Sequence, residues 1–494
     1  MSRLENSRYF ILRSRRDDAG VSKDGRIPHA SRRGLRPLLS MRGCNSIKDI
    51  PVAGPREGNL EAPTRHPLDW RNPDFYDEGK LLHEMERVFD ICHGCRRCVS
   101  LCQSFPVLFD LVDESESMEV DGVAKADYWK VVDQCYLCDL CYMTKCPYVP
   151  PHEWNLDFPH LMLRAKAVRH KQEGANFRDR TLTSTDVMGG LIANPVVAPI
   201  VNAANRSEKL REALDRAIGI HPKAWTPEYT TKTLRSRLSA LPADTQGEAA
   251  GRTTGKVALF ATCYMNANEP APGEDLLAVF AHNEIPVTIA QKEKCCGMPK
   301  LELGDLEAVK RARDENIPVL AKLVDEGWDL TALVPSCVLM FKQELPLMFP
   351  DDPDVQKVRG AFFDPFEYLM LRHKEGKLKT DFKHGLGKVA YHAACHQRVQ
   401  NIGPKTKEIL SLIPNTELEV IERCSGHDGT YAVKTEFHDL AMKIVKPVVS
   451  RVEQAQPDHL SSDCAMAGHH IAHARAKGDQ PEHPITLLRK AYGV

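Results

Sequence analysis

The chain changes its hydrophobic rhythm near residue 240. Before that point the rhythm is helical. In DEGKLLHEMERVFDICHGC (77–95), Leu81, Leu82, Met85, Val88 and Phe89 recur at helical spacing, which predicts a helix that delivers Cys92. ADYWKVVDQC (126–135), HLMLRAKAVRHK (160–171) and EKLREALDRAIG (208–219) read the same way, with proline breaks between. The Gly/Ala/Thr-rich stretch PADTQGEAAGRTTG (242–255) marks a domain boundary. After it come short apolar runs that read as buried strands. They are separated by amphipathic helical stretches such as GDLEAVKRARDENIPVLAKLVDEG (304–327).

The strand-like runs come in two sets. GKVALFATC (255–263) and GKVAYHAAC (387–395) share six of nine residues, and each opens onto a Cys. EKCCG (293–297) is matched by ERCSG (422–426), and ALVPSC (332–337) by HLSSDC (459–464). The offsets of 132, 129 and 127 residues are nearly constant, which indicates an internal duplication. The expected architecture is β-α-β-α in each half, as two related α/β units packed with pseudo-two-fold symmetry. The second copy has Ser425 where the first has Cys296.

Composition narrows the function classes. A formal net charge of −1 and 42% hydrophobic residues describe an ordinary globular chain, without the basic excess that nucleic-acid phosphates demand. No apolar run reaches the roughly 18 residues that span a bilayer. LIANPVVAPIVNAAN (191–205) carries two Pro and three Asn and reads as a tightly packed segment. Residues 1–58 read as a disordered basic tail: the first 50 hold 12 Lys or Arg against five acids. Within it, SRRGLR (31–36) is not followed by the apolar core of an export signal, Met41 offers a second start, and Cys44 is expected to be an idle thiol.

Sixteen Cys is high for 494 residues, and their spacing points to metal rather than disulfides. CHGCRRCVSLC supplies Cys92, Cys95, Cys98 and Cys102; CYLCDLCYMTKCP supplies Cys135, Cys138, Cys141 and Cys146. C-x2-C-x2-C is the core of a [4Fe–4S] site, and in two-cluster ferredoxins the fourth thiolate comes from the other motif. That rule joins Cys92, Cys95 and Cys98 to Cys146, and Cys135, Cys138 and Cys141 to Cys102. Zinc ribbons would leave one Cys of each motif surplus, and disulfides would be strained in such tight runs. The second motif has four residues before its last Cys, one more than the bacterial ferredoxin run. The 32 residues between Cys102 and Cys135 are too many for the compact ferredoxin hairpin. Downstream, the first repeat supplies Cys263, Cys295, Cys296 and Cys337, and the second Cys395, Cys424 and Cys464. Seven cysteines at matched positions argue for a third iron–sulfur centre. Gly after the Cys pair lets the backbone approach, and its N–H can bond to sulfur.

These motifs carry a family resemblance. Residues 255–494 resemble the cysteine-rich CCG domain pair of the heterodisulfide reductase B subunit, and residues 76–160 look like its helical C-subunit ferredoxin. Fused in one chain, the two parts are similar to the C subunit of anaerobic glycerol-3-phosphate dehydrogenase and to the glycolate oxidase iron–sulfur subunit. The resemblance implies an α+β multidomain protein. An all-helical dicluster ferredoxin domain (59–165) and a helical connector and linker (166–254) precede a duplicated α/β CCG domain (255–380 and 387–494). It further implies electron transfer through two [4Fe–4S] clusters, from a flavin-containing dehydrogenase subunit to a further acceptor. The implied location is the cytoplasm, with peripheral contact at the inner face of the membrane. The alternative function is reduction of a disulfide or sulfur substrate at a CCG-domain cluster. No Rossmann or P-loop glycine pattern is present to support NAD or nucleotide chemistry.

The chain also departs from that family. Each heterodisulfide reductase repeat ends in C-x2-C, whereas here Cys337 is followed three residues later by Met340 and Cys464 by Ala467. The first copy keeps four Cys and the second three. A fourth ligand for the second copy is open among His392, His396 and His427, and that copy is expected to hold no cluster or a labile one. The HHIAH run (469–473) is expected on the polar face of a helix.

Overall fold

The computed structural model describes residues 63–238 and 246–494, so the basic tail and Cys44 lie outside the described residues. Among the described residues up to 238 there are helices and no strand. Asp77 caps the helix Glu78–Cys95 by accepting from the Lys80 N–H, and the helix buries Leu81, Met85, Val88 and Phe89 on one face. Phe89 packs against Tyr128 and Phe158, which ties this helix to Tyr128–Val132 and Phe158–Glu173. The helical reading of 77–95 therefore matches the fold, and its apolar stripe is the bundle core.

The duplicated region forms two parallel sheets. The first contains β1 (Val257–Leu259), β2 (Val287–Ile289), β3 (Asp329–Thr331) and β4 (Phe362–Phe363), in the order β2-β1-β3-β4. The second contains β5 (Gly387–His392), β6 (Thr416–Ile421) and β7 (His459–Ser462), in the order β6-β5-β7. Each repeat thus puts its first strand between its second and third, as the duplication predicts; β4 is an addition to the first copy. Val257 pairs with Val287 and Asp329, and Val389 pairs with Leu418 and His459, so the two registers correspond. Strands buried on both faces explain the continuous apolar runs of GKVALFATC and IPVTIAQ.

The described residues all belong to one compact unit. Arg65 is one clamp within it: it bonds Asp139 in the second cysteine loop, Asp157 at the start of the Phe158 helix, and Glu344 of the first repeat. His396 is another, with Nδ1 2.7 Å from Ser336 Oγ and Nε2 3.1 Å from the Leu137 carbonyl.

The segment 191–205 differs from expectation. It is not packed inside but forms a surface pair of helices, Thr185–Ile192 and Val197–Arg206, bent by 111°. Asn194 breaks the run, its Oδ1 accepting from the Val196 and Val197 N–H groups. Leu191, Val196 and Ile200 are 64%, 71% and 65% exposed. Among the described residues no single helix is long and apolar enough to cross a membrane, and this bent pair passes only by length and composition.

Candidate functional site

Four groups of sulfur emerge from the fold. Cys92 and Cys95 end the helix Glu78–Cys95, and Arg96 in the left-handed region (φ +52) turns the chain toward Cys98. Cys146 joins them from the second motif: Cys146, Cys98 and Cys95 bear on Cys92, Cys146 and Cys95 bear on Cys98, and Cys95 bears on Cys146. Burial and neighbouring sulfurs push Cys98 up to about 12, with Lys145 and Arg97 opposing. Burial raises Cys146 to about 11.

Cys135, Cys138 and Cys141 sit on a loop wound by left-handed Leu137 and Asp139 (φ +55 and +60). They border one void together with Cys102. The extra residue of this motif is absorbed as a single π turn, Cys141–Lys145, in which the Cys146 N–H reaches the Cys141 carbonyl at 2.9 Å. Burial, and Cys135 nearby, push Cys102 up to about 12. Lys166 donates from Nζ to the Cys135 carbonyl and fixes the loop from the outside.

In each repeat the cysteines follow the carboxyl ends of the strands, the edge at which parallel sheets collect functional groups. Cys263 begins the helix after β1, Cys295 and Cys296 follow β2, and Cys337 lies in the helix after β3. Cys295 accepts hydrogen bonds from the Cys263 and Cys296 thiols, which hold it well below the usual thiol range. Thr185 Oγ1 donates to Cys263 Sγ at 3.2 Å and to Cys295 Sγ at 3.5 Å. The Gly297 N–H also bonds Cys295. In the second copy, Cys395, Cys424 and Cys464 follow β5, β6 and β7, and the Gly426 N–H meets Cys424 Sγ at 3.3 Å. The glycine of both CCG-type frames therefore makes the N–H to sulfur contact, at φ +99 and +75.

Three of the groups adjoin: Cys98 bears on Cys141, and Cys395 on Cys138. Cys395, Cys424 and Asp428 line the same void as Cys102, Cys135, Cys138 and Cys141. Cys464 bears on Tyr264, the residue after Cys263. Among the described residues no three Cys, His, Asp or Glu converge tightly enough to hold one metal ion.

The histidines sort themselves by partner. His392 commits both ring nitrogens, to Ser462 Oγ and the Arg423 carbonyl, and His396 commits both as given above, so neither has one free for a metal. The ring nitrogens of His427 have no hydrogen-bond partner among the described residues; the ring lies edge-on to Trp225 and 5.9 Å from the His470 ring. Burial holds His427 down at about 4. The HHIAH helix, Ala465–Arg475, does not present one polar face: His469 and His473 bond Glu269 and the Lys223 carbonyl, but His470 is 1% exposed.

Sequence reasoning missed Asp428, Thr185, Lys166 and Glu302. Glu302 reaches a cleft of 490 Å³ that is also lined by Tyr136, Lys166, Arg178 and Lys434. Burial raises Glu302 to about 8 although Lys166 opposes it. No motif announces such residues; only Asp428, inside the altered ERCSG frame, stood near a visible signal.

The cysteine-rich CCG domain family matches residues 257–342 and 389–471, the two sheets just described. The chain is 29% identical over 333 residues to the C subunit of anaerobic glycerol-3-phosphate dehydrogenase from Escherichia coli, spanning 67% of this chain and 81% of that one. It is 25% identical over 213 residues to lactate utilization protein A of Oceanobacillus iheyensis, spanning 42% and 83%. To lactate utilization protein A 2 of Bacillus mycoides it is 26% identical over 219 residues, spanning 42% and 87%. The two parallel sheets with their edge cysteines are thus the two segments that match the cysteine-rich CCG domain.

Proposed function

We propose that this chain is an iron–sulfur electron-transfer component that passes electrons between a partner dehydrogenase and a further acceptor. One observation carries the reading: three groups of cysteine sulfur adjoin one another inside the same compact unit that holds the fourth. The donor sets suit [4Fe–4S] clusters. Cys92, Cys95, Cys98 and Cys146 would hold one, and Cys102, Cys135, Cys138 and Cys141 a second. Cys263, Cys295, Cys296 and Cys337 would hold a third centre. Four thiols buried beside one another repel as thiolates, and a bound cluster supplies the positive charge that resolves this along with a one-electron couple. The chain contributes burial and the N–H to sulfur bonds of Gly297 and Gly426, which set potential. Residues 59–165 act as a helical dicluster ferredoxin domain, with 166–254 as connector.

The dehydrogenase component among the relatives supports a dehydrogenase partner here, and a flavin in that partner fits the one-electron relay. The group around Cys98 has basic Arg97 and Lys145 beside it and a 51% exposed Val99 in its loop, which suits it to the docking end. The exposed Leu191, Val196 and Ile200 support peripheral contact with a membrane surface. Reduction of a disulfide or sulfur substrate at the first repeat is the second reading; the cleft that holds Glu302, a proton donor near neutral pH, favours it. Stopped-flow reduction separates the two: the relay reading expects bleaching of cluster absorbance by a reduced flavodehydrogenase partner without any thiol product. Release of thiol from an added disulfide would favour the second.

A further inference from the structure

We infer that Asp428 is the fourth ligand of an iron–sulfur centre held by Cys395, Cys424 and Cys464, replacing the thiolate that Ser425 removed. The inference rests on the iron–sulfur reading above and adds a fourth centre to it.

The loop after Cys424 is shaped to return a carboxylate to the sulfur. Gly426, Asp428 and Gly429 all lie at positive φ (+75, +33 and +56), so the chain curls back on itself. A Cβ at Gly426 would sit 2.5 Å from the backbone carbonyl oxygen of Ala441, so that place excludes a side chain, while at Gly429 the positive φ disfavours one. Asp428 is a non-glycine residue held off the ordinary backbone regions, at a cost of about 1–3 kcal/mol that the surroundings must enforce. The curl puts Asp428 Oδ2 3.3 Å from Cys424 Sγ.

The carboxylate has no other use in view. Among the described residues Asp428 forms no ion pair and its side chain bonds only Cys424, with Lys166 and His396 bearing on it from farther off. It lines the void that Cys395 and Cys424 share with Cys102, Cys135, Cys138 and Cys141, and Cys395, Cys424 and Cys464 all feel its charge, as do Cys102, Cys135 and Cys138. An enclosed carboxylate without a cation is expensive, so the site asks for positive charge. Ser425 does not supply the missing donor, because its Oγ accepts from the His427 N–H at 3.3 Å. The first copy shows the contrast. It keeps Cys296, and its chain enters the helix Met298–Leu303 directly, with Pro299 at the place of Asp428. The copy that lost a sulfur is the one that bends an oxygen ligand into its place.

The test uses the full chain purified without oxygen, with iron analysis and EPR of the reduced protein. Cys395→Ser and Cys138→Ser identify the spectral components of the second repeat and of the adjacent ferredoxin-type set. Asp428→Ala should lose up to about four irons and the same component that Cys395→Ser removes, while the Cys138-dependent component stays. Asp428→Cys should retain that iron with shifted g values. If Asp428→Ala leaves iron content and spectrum unchanged, the inference is overturned. Loss of no iron in Cys395→Ser also overturns it and leaves the relay intact. A wild-type chain without iron overturns both.

Discussion

Replacing Arg65 by Met should cost this fold several kcal/mol, although Arg65 touches no cysteine. Its side chain is 7% exposed. Nε and Nη2 bind the Asp157 carboxylate at 2.8 and 3.0 Å, Nη2 meets Asp139 Oδ1 at 3.1 Å, and the guanidinium lies 4.7 Å from the Tyr142 ring centre. Removing one partner of a buried pair costs about 3–5 kcal/mol, because the other charge is left unpaired. An independent figure agrees in size. Burial alone would raise Asp157, but Arg65 and His160 outweigh it and bring it down to about 2 from 3.8. That difference corresponds to about 2.5 kcal/mol for this one carboxylate, shared between Arg65 and His160. With an m-value above about 3 kcal/mol/M for a chain this long, the urea midpoint should fall by about 1 M. Arg65→Lys should recover less than half, since a point charge cannot make the fork. Far-UV circular dichroism during urea titration reads both variants. A Met variant within about 0.5 kcal/mol of wild type would refute the reasoning.

Three more outcomes follow from local chemistry. His483 caps the helix Pro484–Tyr492, with Nδ1 accepting from the Ile485 N–H and Nε2 donating to the Leu333 carbonyl; burial lowers it to about 4. Its folded value lies below the unfolded 6.5, so its contribution is present above pH 6.5 and is lost as pH falls through about 4. His483→Asn, which keeps a capping side chain, should flatten the melting-temperature profile across that window by about 3 kcal/mol. Gly426→Ala, at φ +75 against the Ala441 carbonyl, should destabilise by more than about 1 kcal/mol, whereas Gly360→Ala, in open space on a helix, should be neutral or stabilising in the same thermal melt. Serine at Leu191, Val196 and Ile200 together should cut co-sedimentation with anionic vesicles several-fold without moving the melting temperature.

Much of this architecture was legible because it repeats or alternates. The apolar stripe of 77–95 fixed a helix, and two runs of GKVA opening onto Cys fixed two equivalent strands. The fold brings Cys146 beside Cys92, Cys95 and Cys98, and Cys102 beside Cys135, Cys138 and Cys141. What escaped the sequence depends on chain geometry. The extra residue of CYMTKC looked like a longer loop, but a π turn absorbs it without moving Cys146. LIANPVVAPIVNAAN looked buried from its apolarity, yet an Asn turn folds it into a hairpin on the surface. The histidines near Cys395 drew attention by residue type, although backbone and hydroxyl partners already occupy two of them. Asp428 was hidden for the opposite reason: one acid in a short polar loop becomes distinctive only when the backbone curls it onto Cys424.

The most direct test of the account is the iron and acid-labile sulfide content of the chain purified without oxygen, with metals measured per polypeptide. Three clusters give about twelve irons and the centre at Asp428 brings the total to about sixteen, each matched by sulfide. Fewer than about four irons per chain, with zinc in their place, would contradict it.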